Sequence, residues 1–123
     1  MSEAKTILTV DDSRTMRDML LMTLKDAGYD VVQAEDGEDG LEKLAERRPD
    51  AIITDINMPK LDGFGFIEKV REDPANVSVP ILVLTTESEQ DRKDRARAAG
   101  ATGWIVKPFN PDTLVEAIRR VAA

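Results

Sequence analysis

Ile81-Leu82-Val83-Leu84-Thr85 puts four large apolar residues in a row ahead of a hydroxyl. A half-exposed strand alternates apolar and polar side chains. An unbroken apolar run describes a strand covered on both faces, as in the middle of a parallel sheet. On either side, four more short runs end at polar groups suited to phosphate chemistry. Thr6-Ile7-Leu8-Thr9-Val10 leads into Asp11 and Asp12, and Val31-Val32 leads to Glu35. Ala51-Ile52-Ile53-Thr54 stops at Asp55, and Trp104-Ile105-Val106 stops at Lys107.

Helical spacing fills the gaps between these runs. Met16, Met19, Leu20, Leu24 and Ala27 recur at three and four residues, and Gly28 ends that pattern. Leu41, Leu44 and Ala45 form a second stripe, and Phe66, Ile67 and Val70 a third. A charged helix from about Asp91 to Ala99 follows the Ile81 strand. The last helix starts with Asn110 as N-cap, Pro111 at its first position and Asp112 in its first turn, and carries Leu114, Val115, Ile118 and Val121 on one face. Five strand–helix units with short loops predict an α/β domain, because right-handed crossovers place helices on both faces of a parallel sheet. A closed barrel needs eight such units. An open, doubly wound sheet is therefore expected, of the flavodoxin-like kind, with the order 2-1-3-4-5 adopted from such folds rather than read from this chain.

A chain of 123 residues with 41% hydrophobic content is long enough for one core and too short for two ordinary domains, so residues 1–123 are expected to form one domain. It contains no cysteine and no histidine, which excludes a disulfide framework, thiolate chemistry, Cys/His zinc sites and imidazole catalysis. Oxygen ligands and lysine remain. Met-Ser-Glu-Ala-Lys leads straight into a five-residue strand, with no apolar stretch long enough for a signal peptide or a membrane span. A soluble cytoplasmic protein without membrane insertion is expected. The net charge of −7 argues against nucleic acid as a partner, which requires a dense basic footprint. Residues 1–86 carry a balance of −8 and residues 87–123 one of +1, an asymmetry that a solvated helix face or a binding surface explains equally well.

In the adopted order the first and third strands are neighbours, so Asp11, Asp12 and Asp55 converge where the strand order reverses. Clustered carboxylates repel unless a cation intervenes. With oxygen ligands only, a hard cation suits them, and Mg²⁺ fits best because it accepts one or two carboxylates with waters and phosphate oxygens. Taken singly, each residue has a plainer role. An Asp after a strand caps a helix or starts a turn, and Asp11 or Asp12 could cap the helix that begins near Arg14.

The combination resembles the receiver domains of two-component signalling. Pro49-Asp50-Ala51-Ile52-Ile53-Thr54-Asp55-Ile56-Asn57-Met58-Pro59-Lys60-Leu61-Asp62-Gly63 is similar to that family's phosphorylation motif. Asp11-Asp12, Thr85-Thr86 and Lys107-Pro108-Phe109 are similar to its other three signatures, and the resemblance covers essentially the whole chain. The run Gly100-Ala101-Thr102-Gly103-Trp104-Ile105-Val106-Lys107-Pro108-Phe109 further resembles stand-alone chemotaxis regulators of the CheY type.

The resemblance implies that Asp55 is the phosphoacceptor, and that Mg²⁺ is held by Asp12, Asp55 and the backbone carbonyl of Asn57, with Asp11 acting through a bound water. It implies that Lys107 pairs with Asp55 and then with a phosphoryl oxygen, that Thr85 donates its hydroxyl to another, and that the Lys107–Pro108 bond is cis. The implied donor is a phosphohistidine on a sensor histidine kinase (CheA-like). The implied target is a flagellar motor switch protein or another chemotaxis component, with a phosphatase as a further partner. The protein is expected to be a monomer and no enzyme beyond its own phosphotransfer and autodephosphorylation. Use as a phosphate sink in a system with several such regulators fits the same residues.

The charged helix near residues 91–99 has no apolar side chain larger than Ala, which makes it the element expected to move. Trp104 either turns into space vacated by Thr85 or is a fixed core aromatic, and both readings stay open. Asn57 and Glu87, each two residues past a signature residue, lie where they admit or obstruct a hydrolytic water; a loop residue and a first-turn acid are the plainer readings.

Other classes fare worse. An aspartyl-nucleophile phosphatase of the haloacid dehalogenase type needs an Asp-x-Asp pair, and Asn57 stands where its general acid belongs. A flavin binder needs a Ser/Thr/Gly-rich phosphate loop where this chain has Asp11-Asp12, and no Walker A or Gly-x-Gly-x-x-Gly pattern is present. A receiver that works without phosphate would not need all four signatures.

Overall fold

The computed structural model describes residues 4–122. Strands β1 (Thr6–Val10), β2 (Asp30–Ala34), β3 (Ala51–Thr54), β4 (Ile81–Thr85) and β5 (Gly103–Val106) alternate with helices α1 (Arg14–Asp26), α2 (Gly37–Glu46), α3 (Gly63–Glu72), α4 (Gln90–Ala99) and α5 (Pro111–Val121). All pairings are parallel, in the order β2-β1-β3-β4-β5. The expected doubly wound sheet is therefore the one observed.

The unbroken apolar run of β4 divides its side chains between two cores. Ile81 and Val83 join one cluster with Phe66, Ile67 and Val70 of α3 and Ala96 of α4, and Leu41 and Leu44 of α2 pack against it. Leu82 and Leu84 join the other, with Leu20 and Leu24 of α1 and Leu114 and Ile118 of α5. Burial on both faces is why no polar alternation was needed.

Local chemistry sets the boundaries. Ser13 caps α1 by accepting the Met16 N–H at 3.2 Å, and Asn110 caps α5 by accepting from Asp112 and Thr113. Gly28, at φ 94°, follows α1 in the left-handed conformation that suits glycine. Three features of the sequence reading shift. Met19 is 46% exposed and Ala45 is exposed, each one residue off the line that its neighbours bury. A short 3₁₀ turn at Pro74–Asn76 precedes β4. No described helix is long and apolar enough to cross a membrane.

Candidate functional site

The sheet's hydrogen-bond ladder runs one residue past the strands and so places the acids. Asp55 N–H donates to Val10 O at 3.0 Å, and Asp11 N–H donates to Ala34 O at 3.1 Å. On the other side, Lys107 N–H donates to Thr85 O at 2.8 Å, which carries the ladder of β4 and β5 to the same rim. The result is a cluster in which one carboxylate oxygen from each of Asp11, Asp12 and Asp55 lies within 4.8 Å of the others. Gly63 lets α3 start against this rim, since a Cβ there would meet the Asp55 carbonyl.

Lys107 Nζ lies 2.8 Å from Asp11 Oδ2 and 2.8 Å from Asp55 Oδ2. The resemblance implied the second contact only. Asp55 Oδ1 accepts the Ile56 N–H at 2.6 Å, so both Asp55 oxygens are held by hydrogen bonds within the protein. Asp11 is 2% exposed, and burial lifts its carboxyl above the usual carboxylate range even though Lys107 and the Ser13 N–H both favour its charge. Burial opposes the ammonium of Lys107, yet hydrogen bonds to two carboxylates overcome it and lift that amine above its ordinary value. The asymmetry is physical: Lys107 has two anionic partners, while Asp11 shares one cation with Asp55. Neither Asp11 nor Asp12 caps α1; Ser13 does, and Asp11 accepts the Ser13 N–H at 2.9 Å.

The donor set suits a hard divalent ion: three carboxylates, one of them exposed at Asp12, and no cysteine or histidine in the chain. A single ammonium serves as cation for two of these acids, which leaves the cluster net negative.

A second group adjoins the first. Thr85 is fully buried, and its Oγ1 accepts the Glu87 N–H at 3.4 Å. Glu87 Oε1 accepts from Asn57 Nδ2 at 3.2 Å, and the Glu87 carbonyl accepts from Trp104 Nε1 at 3.0 Å. Trp104 packs against the α3/α4-side core, with only part of its surface in solvent. The remaining sequence-predicted positions differ. Pro108 is exposed and its bond to Lys107 is cis, as the resemblance implied. Thr86 is exposed and joins none of the hydrogen bonds found among the described residues. Glu35 is exposed at the end of β2, on the far side of β1 from β3, and does not belong to the acid cluster.

Two arginines near the site were not legible in the sequence. Arg17 Nη1 donates to the Asp11 carbonyl at 2.7 Å, and Arg92 Nε lies 3.6 Å from Glu87 Oε2. Arg17 lies in the first turn of α1, a few residues past Asp11, which offered a weak signal. Arg92 sat within a run of charges that reads as an ordinary solvated face.

The response regulator receiver domain family matches residues 7–119 of the chain. Chemotaxis protein CheY1 of Helicobacter pylori is 42% identical over 117 residues, covering 94% of this chain and 94% of that protein. The phosphate regulon regulator PhoB of Pseudomonas aeruginosa is 35% identical over 117 residues, and the chain spans about half, 51%, of that longer protein. The structure of Vibrio cholerae chemotaxis protein CheY4 superposes with a TM-score of 0.92 at 48% identity, covering 98% of this chain and 99% of that one. With its sheet order, its acid cluster and these similarities in agreement, this chain belongs to the response regulator receiver domain family.

Proposed function

We propose that the protein accepts a phosphoryl group on Asp55 from a phosphohistidine of a sensor histidine kinase, in the cytoplasm where ATP charges such kinases, and that it serves a chemotaxis pathway as a monomer. The observation that carries this reading is the Asp11–Lys107–Asp55 bridge inside an acid cluster, with both contacts at 2.8 Å. Asp55 is 8% exposed, oriented through both oxygens, and opposite a cation that can move from carboxylate to phosphoryl oxygen.

In the transfer, an Asp55 oxygen attacks phosphorus in line, the new O–P bond forms as the donor's N–P bond breaks, and the imidazole nitrogen leaves with its electron pair. Lys107 follows the charge onto a phosphoryl oxygen. Thr85 Oγ1 uses its lone pairs for the Glu87 N–H, which leaves its own proton free to donate to a second phosphoryl oxygen. Asp12, Asp55 and the Asn57 carbonyl would hold Mg²⁺, with Asp11 acting through a bound water. That ion supplies positive charge against the repulsion of the acids and of the incoming group. The protein acts on no other substrate, so its chemistry is limited to its own phosphotransfer and dephosphorylation.

Thr85 is the step from phosphate to signal. Pulled toward a phosphoryl oxygen, it draws on the Glu87 peptide, whose carbonyl holds Trp104 at 3.0 Å. The face made by α4, β5 and α5 then binds the target, a flagellar motor switch protein in this reading.

Incubation with acetyl phosphate and Mg²⁺, followed by intact mass, tests the chemistry. The parent is expected to gain one phosphoryl mass and Asp55→Asn none. A parent that gains nothing, or a variant labelled equally, overturns the reading. Trp104 fluorescence that stays unchanged on adding Mg²⁺ and beryllofluoride would remove the Thr85–Trp104 route.

A further inference from the structure

Glu87 makes contacts in four directions. Its Oε1 accepts from Asn57 Nδ2 at 3.2 Å, and its Oε2 lies 3.6 Å from Arg92 Nε in the first turn of α4. Its backbone N–H donates to Thr85 Oγ1 and its carbonyl accepts from Trp104. One residue therefore spans from Asn57, two positions past the acceptor, to the helix on the output face.

We infer that Arg92 is a positioning residue that holds the Glu87 carboxylate across Asn57, and that this strap slows hydrolysis of the Asp55 phosphoryl group. The inference rests on the reading of Asp55 as acceptor. A glutamate side chain tied at one oxygen loses much of its order to rotamer entropy, whereas one tied at both oxygens is held at both ends of the carboxylate. Without Arg92 the Asn57 amide alone restrains Glu87. The carboxylate then swings away from Asn57, and water gains access past that side chain.

Among the described residues, the start of α4 has no stronger side-chain fastening that would make Arg92 redundant. Glu89, at its N-cap, makes no capping hydrogen bond, and Gln90 bonds within the helix to Asp94. The Arg92 and Glu87 side chains are 41% and 27% exposed, so the pair is modest in strength and open to screening by salt.

The test labels Asp55 with acetyl phosphate and Mg²⁺, removes the donor, and follows loss of the phosphoryl mass with Mg²⁺ kept constant. Arg92→Gln is expected to lose its label roughly two- to fivefold faster than the parent, the range open to an exposed ion pair. Arg92→Lys, which keeps the charge, recovers most of the parent's lifetime. In a Glu87→Gln background, Arg92→Gln makes no further difference, because the strap is already cut. High salt speeds the parent's decay and leaves that of Arg92→Gln flat. Equal decay in parent and Arg92→Gln, or the same ratio in the Glu87→Gln background, overturns the inference while leaving Asp55 as acceptor. A parent that takes up no label overturns both.

Discussion

Helices α4 and α5 flank the same strand, β5, and are fastened to the protein by different forces. α5 buries Leu114 and Ile118 completely, and the Asn110 side chain caps its first turn. α4 buries only Ala96. Ala99 packs partly buried against the same core, and the rest of the helix's attachment is polar: Arg95 lies 4.1 Å above the Phe64 ring, Arg92 meets Glu87, and Arg71 of α3 donates twice to the Gly100 carbonyl just past the helix end. Apolar burial responds little to moderate ionic strength or to a change of local charge, whereas ion pairs and cation–π contacts respond to both. A phosphoryl group is a change of charge. In the proposed switch, the helix expected to stay and the helix expected to respond are thus held by forces with different sensitivities.

Ile118→Ala should give the largest stability loss, since it removes a fully buried side chain from the α1/α5-side core. About 2–5 kcal/mol is expected from urea unfolding, nearly the same with and without Mg²⁺ or added salt. A strong dependence on either would break the contrast, because it would show α5 to be held partly by charge.

Lys107→Met carries the comparison to the rim. Removing a mostly buried ammonium leaves Asp11 and Asp55 facing each other without a cation, at a cost of about 1–3 kcal/mol in metal-free protein. Unlike the Ile118 loss, this one is recoverable, because a divalent ion replaces the missing charge. Mg²⁺ should therefore raise the Tm of Lys107→Met more than that of the parent. An equal rise in both would mean that ion and ammonium do not share the acids.

Acid titration sharpens the same point through Asp11, whose carboxyl burial lifts above its ordinary 3.8. A raised folded value favours the neutral acid, so Asp11's contribution to stability is present below about pH 3.8 and is lost as pH rises through the raised value. At neutral pH, Asp11→Asn should accordingly raise the Tm of metal-free protein, and the advantage should fade on acidification through that value. Mg²⁺ binding should weaken over the same window, above the ordinary carboxylate range. A Tm advantage that is constant with pH would exclude Asp11 as its source.

These forces also explain what could be read beforehand. The unbroken run of β4 and the capped, striped α5 were plain because apolar periodicity and capping are local properties of sequence. The sheet order was adopted from similar folds, since nothing local specifies which strand lies beside which. Asp11, Asp12, Asp55 and Lys107 were found because each ends a strand, a position that the ladder register fixes. What escaped was long-range and charged: Lys107 reaching Asp11 as well as Asp55, Arg92 reaching Glu87, Arg95 lying over Phe64. A long flexible cation gives no periodic signal of its partner, and a run of such residues reads as a solvated face. Met19 and Ala45 missed burial for a geometric reason, since a stripe in α1 or α2 reaches the core along one line and both lie beside it.

The smallest effect is expected where the contrast is most direct. Arg95→Ala removes the guanidinium from the Phe64 face and should cost about 0.5–1 kcal/mol in global stability. Local exchange is the sharper readout. If α4 is fastened by a few polar contacts and one buried methyl, its backbone amides open without global unfolding, and hydrogen exchange in Arg95→Ala should quicken across residues 90–99 while α5 stays at the parent's rate. Exchange that rose equally in α4 and α5 would mean that the two helices open as one unit. The different anchoring of α4 would then have no dynamic consequence, and its sensitivity to charge could not serve as the switch.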